Sequence, residues 1–148
     1  MNHLVFDTNI LIDYLSGQIE ALSIIDGCAN PVISKIVYME VMVGCKLSAL
    51  VRAALPVDYE RTLAAVENMT RAWINSTFKV LPIDEETADL SIEVRKQTKK
   101  KLPDTVIHAT AILNGWPIVT RNPRDFPPMA HVPVGYSNVE VIVPYSLP

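Results

Sequence analysis

The stretch Leu4-Val5-Phe6-Asp7-Thr8-Asn9-Ile10-Leu11-Ile12-Asp13-Tyr14-Leu15-Ser16-Gly17 changes its period in the middle. Leu4 to Phe6 is a short apolar run and Asp7-Thr8-Asn9 is turn chemistry. Ile10, Leu11, Tyr14 and Leu15 then share one helical face until Gly17 ends it. The reading is strand, polar turn, helix, with Asp7 just beyond the strand. Asp13 lies off the apolar stripe, which predicts a solvated surface carboxylate.

The same alternation continues outward. Pro31-Val32-Ile33 reads as a strand, and Ser34 as the N-cap of a helix over 34–50. Asp58 opens a longer helix in which Leu63, Val66, Met69 and Trp73 recur at helical spacing, and Pro56 separates the two into a hairpin. Val80-Leu81 is a strand, Asp84 caps an acid-led helix that the basic run 95–101 closes, and Leu102-Pro103-Asp104 starts another helix ending at Asn114-Gly115. A strand over 117–120 follows. Six of the eleven prolines lie beyond Asn122, so the remainder reads as loop with one strand over 139–143. Strands separated by helices require parallel pairing through crossovers, hence a three-layer α/β/α domain spanning 1–148. In such sheets the chemistry collects beyond the C-terminal strand ends, where Asp7, Asn122 and Asp125 fall.

Composition bounds the function. With 148 residues, 49% of them apolar, and mean hydropathy +0.22, the chain can bury one substantial core. Cys28 and Cys45 stand alone in apolar stretches without a CxxC partner, which predicts two buried thiols and neither a disulfide framework nor a zinc site. Residues 1–7 lack the basic start and apolar stretch of a signal peptide, and the apolar run at 36–43 is broken by Glu40 and too short to cross a bilayer. A soluble, cytoplasmic protein is expected. The net charge of −3 does not exclude a nucleic-acid partner, because four cation-bound acids subtracted from it leave +1.

Four acids stand out: Asp7, Glu40, Asp104 and Asp125. Glu40 carries the strongest physical case, because on an ideal helix it projects with Ile36, Val37, Val43 and Leu47. A carboxylate on an apolar face must be paired, protonated or metal-bound. Asp104 at a helix start also reads as a plain N-cap, and Asp7 as a turn residue. Two carboxylates about 4 Å apart repel by about 4 kcal/mol at an effective dielectric near 20, so a cluster of four requires raised pKa values, an intruding base or cations. An oxygen-only donor set favours Mg²⁺ or Mn²⁺ over Zn²⁺.

Four blocks carry a resemblance: F-D-T-N-I-L-I-D at 6–13, S-K-I-V-Y-M-E-V-M-V-G at 34–44, K-L-P-D-T-V-I-H-A-T-A at 101–111 and V-T-R-N-P-R-D-F at 119–126. In order and wording the set resembles PIN-domain ribonucleases, and among them the VapC toxins of toxin-antitoxin systems. The resemblance implies a sheet of about five parallel strands and an acidic pocket for one or two Mg²⁺ or Mn²⁺ ions. It implies RNA hydrolysis by metal-activated water, a VapB-like antitoxin bound at the helices over 34–77, and a homodimer. Asp7, Glu40 and Asp104 match the first three family acids. The fourth place is shared between Asp125 and Asn122. Thr8, Asn9 and Thr120 would serve as hydrogen-bonding supports of the ligands.

Other residues have two readings each. His108 departs from the small residue usual at its place; it is either a proton relay or a helix histidine packed beside the pocket, and the second is preferred because metal-activated water needs no histidine base. The basic run from Arg95 to Lys101 is either a solvated helix cap or a grip on RNA phosphates. Arg121 is read as a substrate contact, with Arg124 flanking the same motif. The Met69 and Trp73 stripe is read as core or dimer contact. Two other functions remain open at this point. One is a non-catalytic PIN-like binding domain; the other is an aspartyl phosphatase of haloacid dehalogenase type, against which Asn9 stands where that family wants its second Asp.

Overall fold

The computed structural model describes residues 2–45 and 58–147. In chain order the elements are β1 (His3–Phe6), α1 (Thr8–Leu15), α2 (Ile19–Asp26), β2 (Asn30–Ser34), α3 (Lys35–Gly44), α4 (Tyr59–Thr77), β3 (Lys79–Leu81), α5 (Glu85–Thr98), α6 (Leu102–Asn114), β4 (Ile118–Val119), a 3₁₀ turn (Pro123–Asp125) and β5 (Val141–Ile142). The five strands form one parallel sheet in the order β3-β2-β1-β4-β5. Val5, Phe6, Val32, Ile33, Ile118 and Val119 are all fully buried. Strands buried on both faces are the signature of a parallel sheet covered by helices on each side, which is the α/β/α layering expected.

The strand order runs one way from β1 to β3 and then jumps to the other side of β1 for β4. That reversal is a topological switch point, the place beyond the C-terminal strand ends where parallel α/β sheets gather functional side chains. The register fixes what meets there: Phe6 pairs with Val119, and the Asp7 N–H donates to the Val119 carbonyl at 3.0 Å. Asp7 and Thr120 are therefore adjacent beyond the strand ends, although 113 positions apart.

Local chemistry explains most boundaries. Asp7 caps α1 by accepting from the Thr8 N–H, Ser34 caps α3 through the Ile36 N–H, and Asp84 caps α5 through Thr87. Gly115 closes α6 in the left-handed region at φ 67°, the ordinary use of glycine at a helix end. Lys99 does the same for α5 at φ 63°, and the Arg95 guanidinium holds that turn by donating to the carbonyls of Lys99 and Lys100. For Arg95 the cap reading of the basic run is thus the observed one. Asp58 precedes α4 without a side-chain cap bond.

Several expectations are corrected. Helix α2 was not foreseen; its signal was Ala21 and Ile25, four apart and both buried. Helix α3 stops at Gly44, with Cys45 extended; residues 46–50 of the expected helix lie outside the described residues, as does Pro56. α3 packs against α4 as the hairpin requires. The strand expected over 139–143 is confined to two residues. Cys28 and Cys45 are only partly buried. On α4, Trp73 stacks on Tyr14 with ring centroids 4.5 Å apart, whereas Met69 is 72% exposed.

Candidate active site

Asp7, buried at the end of β1, is held by three donors. Its Oδ1 accepts from the Thr8 N–H at 2.7 Å. Its Oδ2 accepts from the Thr120 hydroxyl at 2.7 Å and from Asn9 Nδ2 at 3.3 Å. Burial nevertheless outweighs these bonds and raises its pKa, with Asp125 and Glu40 adding like-charge repulsion.

Glu40 reaches the same place from α3. Its Oε1 accepts from the Thr8 hydroxyl at 2.7 Å, so Thr8 bridges two acids, one through its main chain and one through its side chain. The apolar face expected around Glu40 is narrower in the structure: Val37 and Val41 are the buried residues of α3, Val43 is 87% exposed and Leu47 lies outside the described residues. Glu40 flanks that stripe half-buried, and its partner there is the neutral Thr8 hydroxyl rather than a counter-charge. Thr8→Val would remove the hydroxyl but keep the main-chain cap; the expected result is a roughly 10-fold loss of activity with little change in melting temperature.

Asp104 lies in the first turn of α6, whose N-cap is Lys101 rather than Asp104. The plain-cap explanation is therefore removed. Desolvation and then the charges of Asp125, Asp7 and Glu40 push its pKa up to about 6, with Lys101 opposing. Asp125, in the 3₁₀ turn after β4, accepts from Asn122 Nδ2 at 3.0 Å. Asp125 and Asn122, the two candidates for the fourth position, are thus hydrogen-bonded to each other. Asp7 feels the charges of Asp125 and Glu40, and Asp104 feels those of Asp125, Asp7 and Glu40.

The donor chemistry is that of a hard divalent cation, all oxygen and uniformly anionic. Among the described residues, no three His, Cys, Asp or Glu side chains stand in a ready chelating arrangement. Asp7, Glu40 and Asp125 each accept hydrogen bonds from neighbouring donors, and the four acids fit a hard cation in type and charge.

His108 is 2% exposed and packs edge-on against Phe126, ring centroids 5.8 Å apart. Burial lowers its pKa to about 4, so it is neutral at pH 7, in keeping with the packing role. Arg121 is placed differently from its substrate reading: Nε and Nη2 both bind Asp13. Asp13 is correspondingly 5% exposed, not the surface carboxylate expected; off-stripe position on α1 does not reveal a partner more than a hundred residues away.

A family model described as PIN domain matches residues 4–132. The chain belongs to the PIN domain family. This PIN domain is similar to a toxin-antitoxin complex from Klebsiella pneumoniae, at 35% identity and TM-score 0.71 over 97% of this chain and 99% of that one. It shares its fold with FitAcB from Neisseria gonorrhoeae, at 21% identity and TM-score 0.63 over 97% and 99% of the two chains. The fold also recurs in DNA-bound VapBC from Salmonella typhimurium, at 21% identity and TM-score 0.66 over 96% and 98%. No curated protein matches the chain. The PIN domain has no helix, among the described residues, long and apolar enough to cross a membrane.

Proposed function

We propose that this PIN domain is a metal-dependent endoribonuclease acting as the toxin of a VapBC-type pair in the cytoplasm, with Asp7, Glu40, Asp104 and Asp125 as the ligands of Mg²⁺ or Mn²⁺. The observation that carries the reading is the gathering of four acids, from four separate elements, at the switch point of the sheet. Burial first, and then the charges of Asp125, Asp7 and Glu40, raise the pKa of Asp104, so keeping it ionised there is costly unless a cation is bound. A bound divalent cation supplies positive charge at the scissile phosphodiester and lowers the pKa of water. The chain's own contribution is orientation: Thr8, Asn9 and Thr120 aim Asp7, Thr8 aims Glu40, and Asn122 aims Asp125. RNA as substrate and a homodimer follow from family membership. Induced expression in a bacterial host should arrest growth, and the Asp7→Asn variant should not; equal growth of both would count against the toxin role.

The antitoxin has a candidate seat. A groove of about 390 Å³ between α1, α3 and α4 is lined by Ile12, Leu15, Val41, Cys45 and Val66, and Ile12 and Leu15 are each 46% exposed. Two of its walls, α3 and α4, are the helices over 34–77 where antitoxin contact is expected, α1 adds the third, and the similar Klebsiella pneumoniae structure is a toxin-antitoxin complex. Leu15→Asp should weaken antitoxin binding by roughly 30-fold or more, as loss of a buried apolar anchor does, while RNA cleavage by the free toxin is retained. Co-purification and calorimetry check this.

The competing reading is a PIN-like domain that binds without catalysis, favoured by the lack of a ready chelating trio among the described residues. Calorimetric titration with Mn²⁺ separates the two, since only the nuclease reading requires binding that vanishes in Asp104→Asn.

A further inference from the structure

Outside the acidic cluster, an ionic group centred on the buried Asp13 carboxylate joins three distant parts of the chain. The Asp13 carboxylate accepts from Arg121 Nε at 2.5 Å, from Arg121 Nη2 at 3.1 Å and from the Tyr145 hydroxyl at 2.8 Å. Asp13 belongs to α1, Arg121 follows β4, and Tyr145 follows β5 and packs against the core. A fork of this kind fixes the plane of the guanidinium and tethers the Arg121 side chain to α1 and to the segment after β5, which restrains the backbone at its root.

That backbone is the link to the site. The Arg121 N–H donates to Asn9 Oδ1 at 3.3 Å. The Asn9 amide is thereby turned so that Nδ2 faces Asp7 Oδ2 at 3.3 Å and Thr120 Oγ1 at 3.2 Å. A flipped amide would set its oxygen against the Asp7 carboxylate and its NH₂ against the Arg121 N–H, losing both bonds. The orientation of Asn9 therefore depends on where Arg121 is held, and Asp13 and Tyr145 hold it.

We propose that Asp13, Arg121 and Tyr145 form a clamp that orients Asn9 and through it the Asp7 carboxylate, which makes Arg121 a positioning residue rather than a contact to substrate. The kinetic consequence rests on the nuclease reading; the structural consequence does not. Lysine keeps the charge of Arg121 but cannot form the fork, and Tyr145→Phe removes one donor without changing shape.

The test uses Arg121→Lys, Tyr145→Phe and Asp13→Asn, with NMR of the Asn9 side-chain amide in the metal-free protein, Mn²⁺ calorimetry, and cleavage kinetics. In Arg121→Lys the Asn9 amide signals should shift, and Mn²⁺ affinity and kcat should each fall about 10- to 100-fold, the range for residues that orient metal ligands, with KM nearly constant. Tyr145→Phe should move the same readouts in the same direction by less. Unmoved Asn9 signals and unaltered Mn²⁺ affinity in Arg121→Lys would overturn the clamp, as would a rise in KM alone, which marks a substrate contact. If Asp13→Asn does not fold, the other two variants decide by the same readouts. If the unsubstituted protein cleaves no RNA yet the Asn9 signals shift in Arg121→Lys, the clamp stands and the nuclease reading fails.

Discussion

Asp7→Asn is expected to abolish RNA cleavage, by at least about 10²-fold, in a protein that still folds. The size follows from its place: loss of a residue that merely supports a ligand costs roughly 10- to 100-fold, and a central acid should cost more. Folding should survive because asparagine caps helices as well as aspartate does, so the bond from the Thr8 N–H to Oδ1 can be kept. The Thr120 hydroxyl already accepts from Asn9 Nδ2 and from the Asn122 N–H, so an Nδ2 placed at the other oxygen loses the bonds from Thr120 and Asn9. Those losses are offset in part because one repelling charge is removed from a buried position. Initial cleavage rates and circular dichroism of the two proteins, side by side, check both halves.

Asp104→Asn should also lose cleavage, yet raise the stability of the metal-free protein at neutral pH. Its pKa rises from 3.8 to about 6 in the fold, so between these values the folded protein holds a proton that the unfolded chain has released. Stability from this group is fully present below about pH 4, falls as pH rises towards 6, and is flat above. Asp7, raised for the same reason, adds a slope of the same sign. At 1.36 kcal/mol per unit the Asp104 shift corresponds to about 3 kcal/mol; the half-exposed carboxylate is screened, and about 1 kcal/mol is the effect expected. In EDTA at pH 7 the Asp104→Asn variant should therefore melt a few degrees higher than the unsubstituted protein, and the two should converge near pH 4. Because a metal requires the ionised acid, Mn²⁺ affinity should fall about tenfold between pH 7 and pH 5 from Asp104 alone. Equal melting temperatures in EDTA at pH 7 would contradict the electrostatic account of the cluster.

Residues that obey one local rule were legible in the sequence. The period change at Asp7, the caps at Ser34 and Asp84 and the glycine stop at 115 each follow from local chemistry, and the strand-helix alternation imposes a parallel sheet. Among the acids of the candidate site, Glu40 stood out from its own setting on an apolar helix face, whereas Asp7, Asp104 and Asp125 stood out through the motif blocks that carry them. Long-range pairing was not legible. Asp13 looked solvated because its partners, Arg121 and Tyr145, are 108 and 132 positions away, and Arg121 looked free for substrate for the same reason. The breadth of the apolar face around Glu40 was misjudged because an ideal helix carries no information about which neighbours remain uncovered. α2 was missed because its eight residues begin at Gln18 without a side-chain cap.

Cleavage of structured RNA tests the central claim most directly. With Mg²⁺, the purified protein should cut; EDTA should stop the reaction, excess Mg²⁺ should restore it, and Asp104→Asn should remain inactive throughout. No cleavage of any RNA, together with no heat of binding when Mg²⁺ or Mn²⁺ is titrated into the protein, would contradict the assignment of the four acids to a metal-dependent nuclease site.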